Sequence, residues 1–392
     1  MVQRKILLGW ELGAGLGHVI PLRRIGERLE QAGFQVRYAV QQPAAAIAAG
    51  LPPDKVIAAP QWTAEGRIPA LPEGYAASSF GQVLGLFGIG YLPAMVRVLD
   101  GWDAILSVER PDAVLSDYAP GLNLAVRGRI PLLVFGSGYT VPPTQLSAFP
   151  KLWADDRRPY YNEDGLLAQI NDLLLERGQP LLDRLPALMA GDRTAIATLA
   201  ALDPYHHFRQ DELVPPVMGG IPAPVARPGD EILCAARPLA QWPAVMQGLA
   251  DLHLPGRIIG YGVDDARLAR LPGNWAIMRG LINVAEAMNS VRMVIGYGGL
   301  GLTAQALAAG LPQLVIATDA EKLLNGLAVE RLGIGRVLRA RQADRETVMA
   351  AAAQVYVDPR YRDRALAVAR EHEAILAADP VSRITELAQT LL

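Results

Sequence analysis

The sequence contains a single cysteine, Cys234, which excludes a disulfide framework and any cysteine-rich metal site. It also lacks a charge imbalance, because its 37 Lys and Arg residues are nearly balanced by 39 Asp and Glu residues. Such a chain has no net field to attract nucleic acid or an anionic membrane. Apolar residues make up 51% and charged residues only 19%, which excludes an intrinsically disordered protein. We expect a globular protein with no nucleic-acid partner.

No apolar run reaches the roughly 20 residues that a membrane-spanning helix requires. The nearest candidate, Phe80 to Met95, is shorter and contains several glycines and Pro93. It predicts a buried helix or an apolar pocket wall, with peripheral membrane contact as the alternative. The first residues lack the apolar core and cleavage site of a signal peptide, so we expect a cytoplasmic protein. The sequence carries no signal for an oligomeric state.

A chain of 392 residues is too long for one hydrophobic core. Apolar runs alternate with helical patterns on both sides of a proline- and glycine-rich linker at 216–229, which is typical of parallel sheets covered by helices. The predicted strands are 5–10, 36–40, 55–59, 113–117 and 131–135, then 231–236, 257–260, 275–278, 293–296 and 313–317. A helix is predicted over 171–189, and residues from 345 onward are predicted to be helical with breaks near Pro359 and Pro380.

The first glycine-rich turn, Gly13-Ala14-Gly15-Leu16-Gly17-His18, follows the first predicted strand. Its third glycine comes one position too early for a dinucleotide fingerprint, and no acid ends the second strand. His18 stands where open α/β sheets bind ligands, and an imidazole can accept a proton at neutral pH. Asp117 ends another strand and is expected at the same edge, where it would orient the ring. The alternative is that His18 only caps a helix.

The second glycine-rich turn, Gly296-Tyr297-Gly298-Gly299-Leu300-Gly301, again joins a strand to a helix. Such a loop turns backbone N–H groups toward an anion, so it indicates a phosphate site. The alternative is a tight turn that serves only helix–sheet packing.

Together these two turns resemble the motifs of GT-B glycosyltransferases, particularly the inverting family that glycosylates natural products and small lipophilic acceptors. The similarity covers residues 5–40, 110–118 and 290–336, including Gly17-His18-Val19-Ile20-Pro21-Leu22 and Ala306-Leu307-Ala308-Ala309-Gly310-Leu311-Pro312. It implies two Rossmann-like α/β domains that face each other across a cleft, with a C-terminal helix returning to the N-terminal domain. Residues 1–215 would bind the acceptor, 230–360 the nucleotide sugar, and 361–392 would pack back on the first domain.

The resemblance also implies the chemistry. His18 would be the general base and Asp117 its partner, with a UDP- or dTDP-linked sugar as donor substrate and no cofactor or metal. The implied donor-binding residues are Tyr297, Gly298, Gly299, Gly301, Thr303, Gln305, Glu321, Lys322, Asn325, Arg237 and Arg279. The implied acceptor-binding residues are Trp10, Trp62, Phe80, Phe87, Ser137 and Tyr139.

The donor motif departs from the family pattern at four places. Tyr297 replaces a histidine, Leu302 a small hydroxyl residue, Gln305 a glutamate, and Glu321-Lys322 an Asp-Gln pair. Three interpretations remain. The chain is a glycosyltransferase with an altered donor preference, in which Lys322, Arg237 or Arg279 supplies the lost positive charge. Alternatively it is a catalytically silent relative that binds a ligand or a partner enzyme, or a nucleotide-sugar epimerase.

Overall fold

The computed structural model describes residues 3–62, 77–153, 159–225, 228–260, 263, 271, 273–280 and 282–392. The chain forms two compact units. The first comprises Met1–Leu199, Tyr205–Val214 and Asp379–Leu392, and the second comprises Ala200–Pro204 and Pro215–Ala378.

The first unit is built on a parallel sheet. Its described strands are β1 (Lys5–Trp10), β2 (Gln35–Val40), β3 (Val56–Ala58), β4 (Ala113–Asp117), β5 (Leu132–Gly136), β6 (Arg193–Ala197) and β7 (Leu213–Val214). They lie in the order β3-β2-β1-β4-β5-β6-β7. Each of the central strands β4 and β5 is buried along its whole length, as expected for a parallel sheet covered on both faces.

The helices of this unit that precede the C-terminal helix are α1 (Leu16–Gln31), α2 (Pro43–Ala48), α3 (Phe80–Leu86), α4 (Leu92–Glu109), α5 (Pro120–Val126) and α6 (Glu163–Glu176). The helix α1 buries Val19, Leu22, Ile25 and Leu29 at helical spacing. The apolar stretch that starts at Phe80 is interrupted because Gly88 and Gly90 take positive φ angles of 99° and 90°. It therefore forms two helices instead of one.

The second unit repeats the plan. Its strands are β8 (Glu231–Ala236), β9 (Gly256–Gly260), β10 (Trp275–Met278), β11 (Val291–Gly296), β12 (Gln313–Ala317) and β13 (Gly335–Arg339), in the order β10-β9-β8-β11-β12-β13. Its described helices are α7 (Trp242–Ala250), α8 (Val284–Ala287), α9 (Leu300–Ala308), α10 (Ala320–Arg331), α11 (Arg345–Val357) and α12 (Pro359–Leu376). Short 3₁₀ turns occupy Pro53–Lys55, Leu185–Met189, Met288–Ser290 and Ala340–Gln342.

The last helix, α13 (Pro380–Gln389), belongs to the first unit. It packs on α1 and β6 and buries Val381, Ile384 and Ala388. The predicted return of the C-terminal helix to the N-terminal half is thus seen, and Asp379 caps the helix by accepting the N–H of Val381. The return begins later than expected, because α12 stays with the second unit, where it contacts α9.

A helix was predicted over residues 171–189, and these limits are wrong. The observed helix α6 ends at Glu176, since Gly178 takes a positive φ of 65° and Pro180 follows. Among the described residues, no helix is both long and apolar enough to cross a membrane.

Candidate functional site

His18 and Asp117 meet at the carboxyl edge of the first sheet. Strands β1 and β4 are neighbours whose register pairs Trp10 with Asp117, and His18 lies in the first turn of α1. The Nδ1 atom of His18 is 2.9 Å from Oδ2 of Asp117. With an ionised carboxylate as partner, Nδ1 carries the proton and donates it, which leaves the lone pair on Nε2. This is the arrangement of a histidine base oriented by an acid.

Two neighbours fix the imidazole ring. Trp10, which is fully buried, stacks against it with ring centroids 4.9 Å apart and an interplanar angle of 16°. Gly13, at φ +82°, lies so close that a Cβ there would be 2.6 Å from Nε2. Trp10 was predicted as an acceptor-binding residue, but it lies in the core, against the histidine.

The residue after Asp117 is strained. Tyr118 is a buried non-glycine residue with φ +47°, a left-handed conformation that costs on the order of 1–3 kcal/mol. Its carbonyl accepts the N–H of Leu12 at 3.1 Å, and its ring centroid lies 6.3 Å from that of His18. Such strain is concentrated at functional sites. Tyr118 was not predicted as a site residue, because a backbone φ angle cannot be read from a sequence.

A buried carboxylate beside the dyad was also missed. Glu11 is 1% exposed and accepts N–H groups from the indoles of Trp62 and Trp102 and from the backbone of Gly121 and Leu122. Burial raises the pKa of Glu11 to about 7, although these donors act in the opposite direction. An acid directly after the first strand is the only signal that the sequence offered.

The predicted acceptor residues fall into separate places. Phe80 is buried and packs with Tyr118 and Tyr139, at centroid distances of 5.9 and 5.5 Å. Phe87 also meets Tyr118, at 6.3 Å. These rings form an aromatic cluster beside the dyad. Trp62 instead donates to Glu11 at 2.8 Å, and Ser137 closes a turn in which its N–H donates to Thr140 Oγ1.

In the second unit, the predicted phosphate loop joins β11 to α9. Gly298 has φ +86°, and a Cβ there would lie 2.5 Å from the carbonyl oxygen of Lys322. The side-chain amide of Asn325, itself buried, donates to the Gly298 carbonyl at 2.8 Å. The N-cap Gly299 provides no side-chain cap to α9, and a Cβ at Gly301 would meet no described atom within 4 Å. The first N–H groups of α9 therefore have no side-chain cap, and the Tyr297 ring lies beside the N-cap, since a Cβ at Gly299 would be 2.9 Å from it.

Positive charge lies next to this loop. The guanidinium of Arg237 sits 4.8 Å above the ring centroid of Tyr297, a cation–π contact. Strands β8 and β11, which end before these two residues, are neighbours. The Nζ atom of Lys322 forms an ion pair with Oε2 of Glu321 at 2.5 Å. Burial alone would lower the pKa of Lys322, but the carboxylates of Glu321 and Asp319 act against it and the pKa is raised, so the amine is charged at neutral pH.

Other predicted donor residues lie apart from the loop surface. Arg279 is exposed after β10, three positions from β11 in the sheet order and so about 14 Å away at the usual strand spacing. Thr303 is 1% exposed. Gln305 is 6% exposed and its amide donates to the carbonyl of Gly220 at 2.8 Å. In the described part of the chain, no three His, Cys, Asp or Glu side chains form a group suited to a metal ion.

Residues 261–391 match the family described as Erythromycin biosynthesis protein CIII-like, C-terminal domain. A PGL/p-HBAD biosynthesis glycosyltransferase of Mycobacterium tuberculosis is 35% identical over 121 residues, which are 31% of this chain and 28% of the relative. The erythronolide mycarosyltransferase of Saccharopolyspora erythraea is 35% identical over 78 residues, 20% of this chain and 19% of the relative. These matches thus span less than a third of the length of either relative.

The whole fold also has solved counterparts. The spinosyn rhamnosyltransferase SpnG aligns with a TM-score of 0.71 over 99% of this chain and 100% of its own, at 18% identity. The calicheamicin glycosyltransferase CalG4 aligns with a TM-score of 0.66 over 100% and 99%, at 20% identity. The chain thus has the GT-B fold of natural-product glycosyltransferases, and its C-terminal part matches the EryCIII-like C-terminal domain.

Proposed function

We propose that the protein is an inverting glycosyltransferase that moves a sugar from a nucleoside diphosphate to a hydroxyl of a small lipophilic acceptor. The observation that carries the proposal is the His18–Asp117 pair, with Nδ1 and Oδ2 2.9 Å apart. A histidine that only capped its helix would have no use for a buried carboxylate at this distance. The glycosyltransferase relatives support the same activity.

The chemistry follows from the ring's tautomer. The acceptor oxygen attacks the anomeric carbon from the face opposite the diphosphate, while the bond from carbon to diphosphate oxygen breaks. Nε2 of His18 takes the hydroxyl proton, and Asp117 stabilises the imidazolium that forms. The diphosphate leaves with the bonding electrons. The first N–H groups of α9 are suited to stabilise its developing charge.

The donor would be held by the loop between β11 and α9. In this proposal Arg237 and Lys322 supply the positive charge that the family histidine supplies elsewhere, since the Arg237 guanidinium lies over the Tyr297 ring and Lys322 is close enough to Tyr297 to interact with it electrostatically. Arg279, about three strand spacings from the loop, is the weakest of the three candidates. A structure of SpnG with thymidine diphosphate is among the similar folds, which favours a dTDP-linked sugar.

The acceptor would bind in the first unit beside the dyad. Phe80, Phe87, Tyr118 and Tyr139 form an aromatic cluster there, which favours an apolar ring system over a polar acceptor. SpnG is also known in complex with spinosyn aglycone, and a lipophilic aglycone is the acceptor class that we propose here.

A ligand-binding protein without transferase activity is the alternative. Two predicted donor-binding residues favour it, because Thr303 is buried and the side-chain amide of Gln305 already donates to the carbonyl of Gly220. The two functions differ in one respect. A silent relative would bind a nucleotide or an aglycone but would transfer no sugar.

The test combines binding and turnover. Thermal unfolding is measured with UDP, dTDP and GDP, because a ligand at a hundredfold its dissociation constant adds about 2.7 kcal/mol of stability. Sugar transfer is then measured with dTDP-sugars and aromatic aglycones. We expect stabilisation by dTDP, and a product of inverted anomeric configuration.

The matched variants are His18→Ala and His253→Asn. Loss of the base should lower kcat about 10²- to 10⁴-fold while the thermal shift with dTDP is unchanged. His253 is exposed, lies in the second unit and has φ +54°, which asparagine tolerates, so its variant should keep full activity. Equal turnover by wild type and His18→Ala would reject the base assignment, and no stabilisation by any nucleotide would reject the donor site.

A further inference from the structure

The carboxylate of Glu11 connects the two segments that carry the dyad. Glu11 directly follows β1, and its four hydrogen-bond donors come from three other parts of the first unit. Trp62 lies beyond β3, Trp102 lies in α4, and Gly121 and Leu122 form the first turn of α5. The distances from Trp62 Nε1, Gly121 N and Leu122 N are 2.8, 2.9 and 2.6 Å.

The first turn of α5 is close to Asp117 in the chain. Only Tyr118 and Ala119 separate Asp117 from α5. Gly121 has no side chain, and a Cβ there would lie 2.7 Å from Oε1 of Glu11. The carboxylate thus reaches the backbone only because this position is glycine. The position of Glu11 is therefore coupled to the position of the turn that follows Asp117.

The backbone of Glu11 is also connected to the His18 ring through the preceding residue. Its chain neighbour Trp10 stacks on the His18 ring, and the Trp10 indole donates to the carbonyl of Leu12 at 2.6 Å. Leu12 in turn donates its N–H to the carbonyl of Tyr118 at 3.1 Å. The segment from Trp10 to Leu12 is consequently bonded to the residue after Asp117 and supports the ring of His18.

We propose that Glu11 is a positioning residue for the dyad, holding the carboxyl ends of β1 and β4 together so that His18 and Asp117 stay within hydrogen-bond distance. Its carboxylate offers acceptors only, and all four described donors are neutral N–H groups, which an amide in its place would partly repel. A role in sugar transfer rests on the proposed function. The positioning itself is measurable without turnover.

The experiment compares Glu11→Gln with Glu109→Gln. Glu109 is also a buried glutamate of the first unit, but it pairs with Lys5 and Arg37 at the amino ends of β1 and β2. Both changes replace a buried carboxyl group by an amide, and only Glu11→Gln acts at the edge that holds the dyad. The readout is the NMR spectrum of the His18 ring, identified by its loss in His18→Ala. The stacked indole of Trp10 shifts these signals upfield, so they report the ring's placement.

We expect the His18 signals to move in Glu11→Gln and to stay in place in Glu109→Gln. With acceptor and donor present, kcat should fall about 10²-fold in Glu11→Gln, the usual effect of a misplaced catalytic group, while the donor KM is unchanged. Trp62→Phe removes one donor at a half-buried position and is the milder variant if Glu11→Gln does not fold. It should move the same signals in the same direction.

Unchanged His18 signals in Glu11→Gln, or in Trp62→Phe if the first variant is unfolded, would overturn the proposal. Signals that move equally in Glu109→Gln would also overturn it, since the effect would then be general destabilisation. If the signals move as expected but wild type transfers no sugar, the positioning stands and the proposed transferase function fails.

Discussion

Gly13 lies against the nitrogen atom that we assign as the base. Alanine at this position would bring a Cβ to 2.6 Å from Nε2 and would hold a left-handed φ of +82°. The imidazole would have to leave its place beside Asp117. We expect Gly13→Ala to lower kcat about 10²-fold, measured by steady-state transfer kinetics.

The control for backbone strain is Gly33→Ala. Gly33 has φ +92°, and a Cβ there meets no described atom within 4 Å. Both variants should lose about 1–2 kcal/mol of stability from the left-handed backbone, but only Gly13→Ala should lose activity. Equal turnover in the two variants would show that Gly13 does not limit the space at Nε2.

Arg237 supplies the second prediction at the scale of single residues. Its guanidinium lies over Tyr297, next to the glycine loop. If it contacts the diphosphate, Arg237→Met removes a charged hydrogen bond worth about 1.5–3 kcal/mol, and the dissociation constant of dTDP should rise roughly 10- to 100-fold. The measurement is calorimetric titration.

Arg257→Met is the matched control. This arginine lies near the start of β9, at the opposite edge of the same sheet, where it pairs with Glu231. Its dTDP affinity should equal that of wild type. Equal weakening in both variants would indicate a long-range charge effect and would remove Arg237 from the donor site.

The helix α9 gives a prediction in which stability and binding change in opposite directions. Its first turn contains no acidic residue, and the Gly301 position is open. Gly301→Asp should stabilise the helix by about 0.3–1 kcal/mol through its dipole, in addition to the gain in helix propensity. The same carboxylate would repel a diphosphate at these N–H groups, so we expect a higher Tm and at least tenfold weaker dTDP binding.

Gly301→Asn has nearly the same shape without the charge. It should lose less affinity than Gly301→Asp, as read from thermal shifts over a dTDP series. If Gly301→Asp binds dTDP as well as wild type does, the anion does not sit at the start of α9.

Among the elements, those with strong local signals could be predicted from the sequence. The strands 113–117, 275–278 and 313–317 were predicted with their observed ends, because continuous apolar runs sit between clear breaks. The strands β6, β7 and β13 were missed. The strand β7 has only two residues. The strand β13 (Gly335–Arg339) is a half-exposed edge strand with two arginines, so it lacks the apolar run of a central strand.

The candidate site shows the same division. The strand pattern placed His18 and Asp117 at one sheet edge, and in the structure Nδ1 of His18 is 2.9 Å from Oδ2 of Asp117. Their catalytic roles stay predictions. The positive φ of Tyr118 and the four donors around Glu11 were not predictable. They depend on which distant segments meet in the fold, and a single sequence does not carry that information.

At the scale of the whole molecule, Glu11 makes the stability of the first unit depend on pH. Its pKa is raised to about 7 by burial, whereas the unfolded carboxyl titrates near 4.5. Between these values the folded state binds the proton that the unfolded state has lost, so stability falls as pH rises from about 4.5 to about 7. The loss is on the order of 3 kcal/mol.

The measurement is urea unfolding at several pH values for wild type and Glu11→Gln. The variant has no titrating group at this position, so the difference between the two curves isolates the contribution of Glu11. A constant difference from pH 4.5 to 7 would show that the carboxyl has an ordinary pKa in the folded protein.

The helix α13 is the second feature at this scale. Ile384 is fully buried, on the helix that packs on α1 and β6. Ile384→Ala should cost about 2–5 kcal/mol and lower the unfolding temperature of the first unit selectively in calorimetry. Gln389→Ala, at an exposed position of the same helix, should be neutral. A loss confined to the second unit would contradict the assignment of α13.

Because Asp379–Leu392 completes a unit that begins at the other terminus, the order of synthesis and the order of folding differ. A ribosome releases all of Pro215–Ala378, the larger part of the second unit, before the last helix of the first unit has been made. Until that helix is synthesised, the apolar faces of α1 and β6 in the nascent first unit stay uncovered. Expression of residues 1–214 alone would leave those faces without their cover, and such a fragment should be captured by chaperones or should aggregate.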